Sequence, residues 1–129
     1  MNRKIIDTEN APSAIGPYAQ AVVVENATRS IYISGQIPLS PGSMEVVSQE
    51  FSEQAQQVFK NLSAVATAAG SSLADAVKLT VYLTDLERFA ELNEIMSQYF
   101  KPPYPARAAI QVSALPKQAQ IEIDAVLLV

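Results

Sequence analysis

The C-terminal stretch Ala125-Val126-Leu127-Leu128-Val129 is apolar at every position. A strand of this kind has no polar face to turn to water, so both of its faces need cover. It continues from Gln120-Ile121-Glu122-Ile123-Asp124, where two isoleucines alternate with three polar residues in the period of a strand. Only two other stretches carry helical periodicity, and two helices can cover one face of a sheet. The second face calls for a layer that this chain lacks. Another copy of the chain, in a closed cyclic oligomer, is its expected source.

The clearer helix is predicted over residues 51–69. Phe51, Ala55, Val58, Phe59, Leu62, Val65, Ala66 and Ala69 recur there at spacings of three and four. Ser48 is the expected N-cap and Gly70 the residue just past the end. A second helix over 86–100, capped by Asp85, has Leu86, Phe89, Leu92, Ile95, Met96, Tyr99 and Phe100 on its stripe, and Pro102 and Pro103 stop it. Strands are predicted at 3–6, 18–25, 30–34 and 77–83, the last with Val77, Leu79, Val81 and Leu83 inward. Residues 26–28 read as the turn of a hairpin joining 18–25 to 30–34. Residues 7–17 read as irregular loop around Pro12, Gly16 and Pro17. The order is β-β-β-α-β-α-β-β, in one domain spanning 1–129.

Chemistry is narrowed by what the composition omits. Without Cys or His, disulfides, thiol catalysis, imidazole metal sites and a Ser-His-Asp triad within the chain are excluded. Acid–base work falls to Asp, Glu, Lys, Tyr, backbone or water. A net charge of −4 argues against a general grip on nucleic acid, which needs clustered Lys and Arg. No apolar run resembles a signal peptide or is long enough to span a bilayer, so a cytoplasmic location is expected.

Arg107 then stands out, in a run with no other charge from Ala108 to Leu115. Residues 105–113 alternate, as do 120–124, with a turn at Leu115-Pro116-Lys117. If the two strands pair antiparallel, Arg107 and Glu122 share one polar face. A guanidinium there offers a planar fork for a substrate carboxylate, and a carboxylate offers a base or a water acceptor. Taken alone, the two residues read more simply as ordinary surface charges on a solvated face than as a site.

Several segments, in order and spacing, resemble the YjgF/Rid family of reactive-intermediate deaminases along essentially the whole chain. They are Ala11-Pro12 with Ile15-Gly16-Pro17-Tyr18, Ser34-Gly35-Gln36-Ile37-Pro38, Phe89-Ala90-Glu91-Leu92-Asn93, Pro105-Ala106-Arg107, Leu115-Pro116-Lys117 and Ile121-Glu122-Ile123. The resemblance implies a chorismate-mutase-like α+β fold, a mixed β-sheet with two helices on one face, and a homotrimer with sites between subunits. It implies hydrolysis of 2-imino or 2-enamino acids, made by amino-acid dehydratases, to 2-oxo acids and ammonia, with no cofactor and no metal. Arg107 matches the carboxylate-binding arginine and Glu122 the acidic residue that holds the attacking water. Tyr18 matches the aromatic wall, Ser34 and Gly35 the polar and backbone contacts, and Asn93 a polar pocket residue. One departure is clear. Many enamine-deaminating members carry Ser-Cys or Ser-Thr after the arginine, where this chain has Ala108-Ala109. Any contact at 109 therefore falls to the backbone. The alternatives are a ligand-binding or regulatory protein without catalysis, and an endoribonuclease or translation inhibitor, the latter disfavoured by the acidic charge and the lack of His.

Overall fold

The computed structural model describes all of residues 1–129. Six strands and two α-helices follow in the order expected: β1 (Asn2–Ile6), β2 (Ala21–Glu25), β3 (Ser30–Gln36), α1 (Phe51–Ala68), β4 (Ala76–Leu83), α2 (Phe89–Tyr99), β5 (Ala106–Gln111) and β6 (Ile121–Leu128). The fold is α+β. A four-stranded mixed sheet runs β3-β6-β4-β5, parallel only between β4 and β5, and β1 and β2 form a separate antiparallel pair.

Both helices pack on one face of the four-stranded sheet. Leu79, Val81 and Leu83 of β4 and Ile121, Ile123, Ala125 and Leu127 of β6 are buried there against Phe51, Ala55, Val58, Phe59, Leu62, Leu92, Ile95 and Met96. Phe59 stacks on Tyr99 at 5.1 Å between ring centroids and meets Phe100 edge-on at 6.0 Å. Such pairs add about 0.5–1.5 kcal/mol each beyond area burial, so α2 is held firmly against α1. α1 ends as expected. Gly70 has φ +75°, its N–H donates to the Thr67 carbonyl and the Ser71 N–H to the Ala66 carbonyl, closing the last turn.

Strand pairing departs from the sequence reading in two places. The hairpin between 18–25 and 30–34 does not form, because β2 pairs with β1. The N–H groups of Thr28 and Arg29 instead donate to the Val129 carbonyl at 2.7 and 3.0 Å, which draws β3 alongside β6. Nor do residues 105–113 pair with 120–124: β4 lies between β5 and β6.

Smaller differences have local causes. A register shift between Ala76 and Lys78 gives the first inward position of β4 to Ala76 rather than Val77. The 86–100 segment opens as a 3-10 turn at Leu86–Arg88 before α2 begins, which leaves Leu86 41% exposed instead of on the buried stripe. Asp85 caps that turn by accepting from the Glu87 N–H. Ser48 does not cap α1. Its hydroxyl accepts from the Glu50 N–H and its carbonyl from the Gln54 side chain. Val65 stays 39% exposed.

The sheet's other face is open. Tyr32, at 77% exposure, and Ile110, at 45%, stand on it with the half-buried Val126 and Leu128. No helix is long and apolar enough to cross a membrane.

Candidate functional site

Arg107 is the second residue of β5 and the register partner of Leu79 on β4. Leu79 is fully buried against the helices, so Arg107 points to that same side. Its cover comes from one face of α2. Phe89, Asn93 and Met96 follow at i, i+4 and i+7 and lie together over the guanidinium. Arg107 Nη1 donates to Asn93 Oδ1 at 2.7 Å and approaches Met96 Sδ at 3.5 Å. The guanidinium carbon sits 5.0 Å from the centre of the Phe89 ring and 4.8 Å from that of Tyr18. Flanked by two aromatic faces, the planar cation is attracted by both ring quadrupoles and held in orientation.

Tyr18 reaches that position through a short loop. The Ala19 N–H donates to the Pro105 carbonyl at 2.9 Å, anchoring the loop two residues before Arg107. Gly16 has φ +151°, and a Cβ there would lie 3.3 Å from Asn93 Nδ2 and 3.6 Å from Arg107 Nη2. Glycine is required by the backbone and by the room around the guanidinium. The Tyr18 hydroxyl accepts from the Ile15 N–H at 3.2 Å, fixing the ring.

No carboxylate pairs with Arg107. The one ion pair in the chain joins Arg88 to Glu91. Burial under α2 lowers the Arg107 pKa from the ordinary arginine value, an effect partly offset by the Tyr18 phenol. A half-buried cation without a counter-ion is costly, and an incoming carboxylate removes that cost. Nη2 makes no hydrogen bond within the chain, so the fork keeps a free prong beside Gly16.

Ala109 follows Arg107 on the helix side and packs against the core. The Val112 N–H donates to Leu83, whereas the Pro105 carbonyl points outward to Ala19. The two-residue alternation of a strand then turns the backbone groups of Arg107 and Ala109 out of the sheet edge. The backbone of Ala109 is free for a ligand, as its side chain cannot be.

Glu122 lies elsewhere. Its register partner is Tyr82, on the open face. Leu79 and Tyr82 are three residues apart on β4, so Arg107 and Glu122 project from opposite faces, two strands apart. The expectation that one chain puts both on one face is overturned, because it assumed that consecutive strands pair. Glu122 lies flat over Gly35, at an irregularity in β3 between Ile33 and Gln36. A Cβ on Gly35 would come within 2.9 Å of the Glu122 carboxyl carbon. Gly35 is thus the seat of that carboxylate, and the exposed Ser34 flanks it. Beside it on the open face, the Tyr82 hydroxyl donates to Asp124 Oδ2 at 3.0 Å. That bond, together with burial and the nearby carboxylates, raises the Tyr82 pKa.

The expected residues therefore form two half-sites: Arg107, Tyr18, Asn93 and Ala109 at the β5 edge, and Glu122, Gly35 and Ser34 on the open face. The sequence reading missed Phe89, Met96 and Gly16 as neighbours of the guanidinium. Their signal was helical spacing from Asn93 and a glycine two residues before Tyr18.

Comparison with known proteins gives this arrangement its context. A family model described as Endoribonuclease L-PSP matches residues 8–129. The human protein named 2-iminobutanoate/2-iminopropanoate deaminase is 52% identical over 124 residues, covering 96% of this chain and 88% of the human one. The crystal structure of RidA from an Antarctic Psychrobacter is 49% identical with a TM-score of 0.75, over 98% of this chain and 99% of that one. E. coli TdcF, whose structure holds bound serine, is 40% identical with a TM-score of 0.74 over 98% of both chains.

Proposed function

The chain belongs to the Endoribonuclease L-PSP family, the YjgF/Rid proteins, and from that membership we propose that it hydrolyses small 2-imino and 2-enamino acids, 2-iminobutanoate and 2-iminopropanoate among them, to 2-oxo acids and ammonia. The observation that carries the reading is the unpaired Arg107 guanidinium, held between Tyr18 and Phe89 and steered by Asn93. It suits a small planar acid. The names of the human relative and the serine bound in TdcF point to ligands of that size.

The working unit is a homotrimer in the proposal. Arg107 and Glu122 stand on opposite faces of one sheet, so one chain cannot close a site around one substrate. A cyclic oligomer brings the β5 edge of one copy against the open face of the next, and it covers Tyr32, Ile110, Val126 and Leu128 at the same time.

In the reaction, Arg107 binds the substrate carboxylate, a charged interaction worth about 1.5–3 kcal/mol net. The neighbouring copy's Glu122 accepts a proton from water as the water oxygen bonds to C2 of the iminium. The carbinolamine so formed takes that proton on nitrogen, the C–N bond breaks as the hydroxyl proton passes to Glu122 and the C2–oxygen double bond forms, and ammonia leaves, taking that last proton as ammonium. General-base catalysis of this kind contributes roughly 10²–10⁴-fold. Fixing the two partners supplies much of the remainder. The outward backbone of Ala109 holds the nitrogen end.

The alanines at 108 and 109 favour the rival reading of a ligand-binding protein without catalysis. A coupled assay separates the two: a dehydratase generates 2-iminobutanoate from threonine, semicarbazide traps it, and the trapped fraction is followed as this protein is added. A fall with protein concentration supports the deaminase, and an unchanged fraction at every concentration supports the binder.

A further inference from the structure

Residues 1–25 form an arm that sits apart from the core. β1 and β2 pair with each other, and no residue of either belongs to the buried cluster between the helices and the four-stranded sheet. The arm joins the body at Asn26, a non-glycine residue at φ +61°. Across the seam, Ala19 donates to the Pro105 carbonyl and makes an isolated parallel bridge with Ala106. Two clefts lie along the rest of it. One of about 420 Å³ opens between Ile5, Ile6 and Tyr18 of the arm and Pro102, Pro103 and Tyr104 of the body. The other, of about 240 Å³, lies between Arg3 and Leu73, Ala76 and Phe100. Well-packed interiors leave few voids larger than a water, and units with little buried apolar contact open at low free energy.

This loosely seated arm carries half of the cover over Arg107. Tyr18 and Phe89 flank the guanidinium, so an acid reaches it at its edge, and Gly16 stands beside the free Nη2 there. Phe89 belongs to α2, whereas Tyr18 and Gly16 belong to the arm. Lifting the arm uncovers one face of the cation and its free prong together.

Arg3 holds the arm down. Its Nη1 and Nη2 donate to the carbonyls of Ala74 and Ala76, both at 2.6 Å, where the chain enters β4. Its Nε is buried without a partner, and burial lowers the pKa against the opposing pull of Asp75. Buried donors are seldom left unpaired. Here two charged bonds favour docking, and the stranded Nε, which regains water when the arm lifts, favours release.

We propose that residues 1–25 are a lid over the Arg107 half-site, that a small acid enters and leaves as the lid lifts about Asn26, and that Arg3 is the latch, a positioning residue acting through Tyr18. Lids of this kind gate access in many enzymes. The proposal rests on Arg107 as the acid-binding group of the deaminase reading, and not on turnover.

Hydrogen exchange by NMR tests the latch. A two-stranded sheet is marginal by itself in water, so a lifted arm loses protection. In Arg3→Met the amides of residues 2–25, that of Ala19 among them, should exchange about tenfold faster than in the parent, with those of α1 and β6 unchanged. An unchanged rate in the arm, or one equal acceleration along the whole chain, overturns the latch. A disulfide tests the lid. The chain has no cysteine of its own, and Ala19→Cys with Ala106→Cys bridges two residues already paired across the seam. Stopped-flow tyrosine fluorescence with 2-oxobutanoate should show association and dissociation about tenfold slower in the oxidised form than in the reduced form, with dithiothreitol restoring both. Equal rates in the two forms overturn the lid and leave the deaminase reading standing. Failure of that reading has a different mark, which is no binding of the oxo acid by the parent protein, and the lid falls with it.

Discussion

Arg107 and Glu122 project from opposite faces of one four-stranded sheet, with β4 between their strands. Their register partners, Leu79 and Tyr82, differ by an odd number of positions, and that alone sets the faces. The guanidinium lies under α2 among aromatic rings, and the carboxylate lies on the open face over a glycine. A substrate that needs both must be held between copies.

Replacing Arg107 by Met should separate binding from stability. The half-buried charge has no acidic partner, so its loss removes a desolvation cost, while Met keeps packing against Phe89 and Tyr18. The ligand-free variant is expected to melt at or above the parent temperature. Its affinity for 2-oxobutanoate should fall about 10–100-fold, in line with a lost charged hydrogen bond. Thermal melts with and without the oxo acid measure both quantities.

Gly35→Ala should disable Glu122 without touching it. The added methyl overlaps the carboxylate and forces it off its seat. Overpacking of this sort costs about 1–3 kcal/mol. The double variant Gly35→Ala with Glu122→Ala should regain most of that stability and none of the activity. A double-mutant cycle in urea reads the coupling, and strict additivity would deny that the two residues touch.

Gln54 is the one fully buried polar side chain of α1. It accepts from the Gln120 N–H at 2.9 Å and donates to the Ser48 carbonyl at 2.8 Å, tying α1 to the residue before β6. Gln54→Leu strands both partners, at about 1–3 kcal/mol for each buried group left unpaired. The chemical denaturation midpoint should fall accordingly, and kcat should fall with it, because the start of β6 positions Glu122.

Tyr82 gives a pH signature. Its hydrogen bond to Asp124 raises the phenol pKa in the folded chain. A raised folded pKa means that the stabilisation is complete below the unfolded value, about 10 for tyrosine, and is lost as pH rises through the folded value. The melting-temperature advantage of the parent over Tyr82→Phe should therefore hold steady from neutral pH to about 9 and shrink above 10. A difference that does not change with alkali would place the Tyr82 contribution in packing alone.

Element identity was legible in the sequence because it is written in local periods. The alternation of β4, the stripe of α1 and the prolines after α2 each stand in one window of chain. Pairing was not legible. The 18–25 and 30–34 segments look like a hairpin until the Val129 carbonyl competes for the N–H groups of Thr28 and Arg29. The nine residues between β5 and β6, with a 3-10 turn at Pro116–Gln118, let β6 pass across β4 instead of folding back. Consecutive strands are neighbours in about two-thirds of cases, and this pair belongs to the remainder. Arg107 and Glu122 stand out by charge and alternation and the other site residues by the resemblance, while their division into two half-sites needed the register. Gln54 gave no signal, since a polar residue beside an apolar stripe reads as its solvated flank.

Mixing of subunits tests the central claim most directly. Arg107→Ala and Glu122→Gln are each expected to be inactive as pure proteins. Unfolded together in equal amounts and refolded, they should form cyclic oligomers in which about one quarter of the interfaces join an intact Arg107 to an intact Glu122, returning roughly that fraction of parent activity. Activity no higher than the mean of the two pure variants, with mixed oligomers confirmed by mass spectrometry, would contradict a site shared between copies.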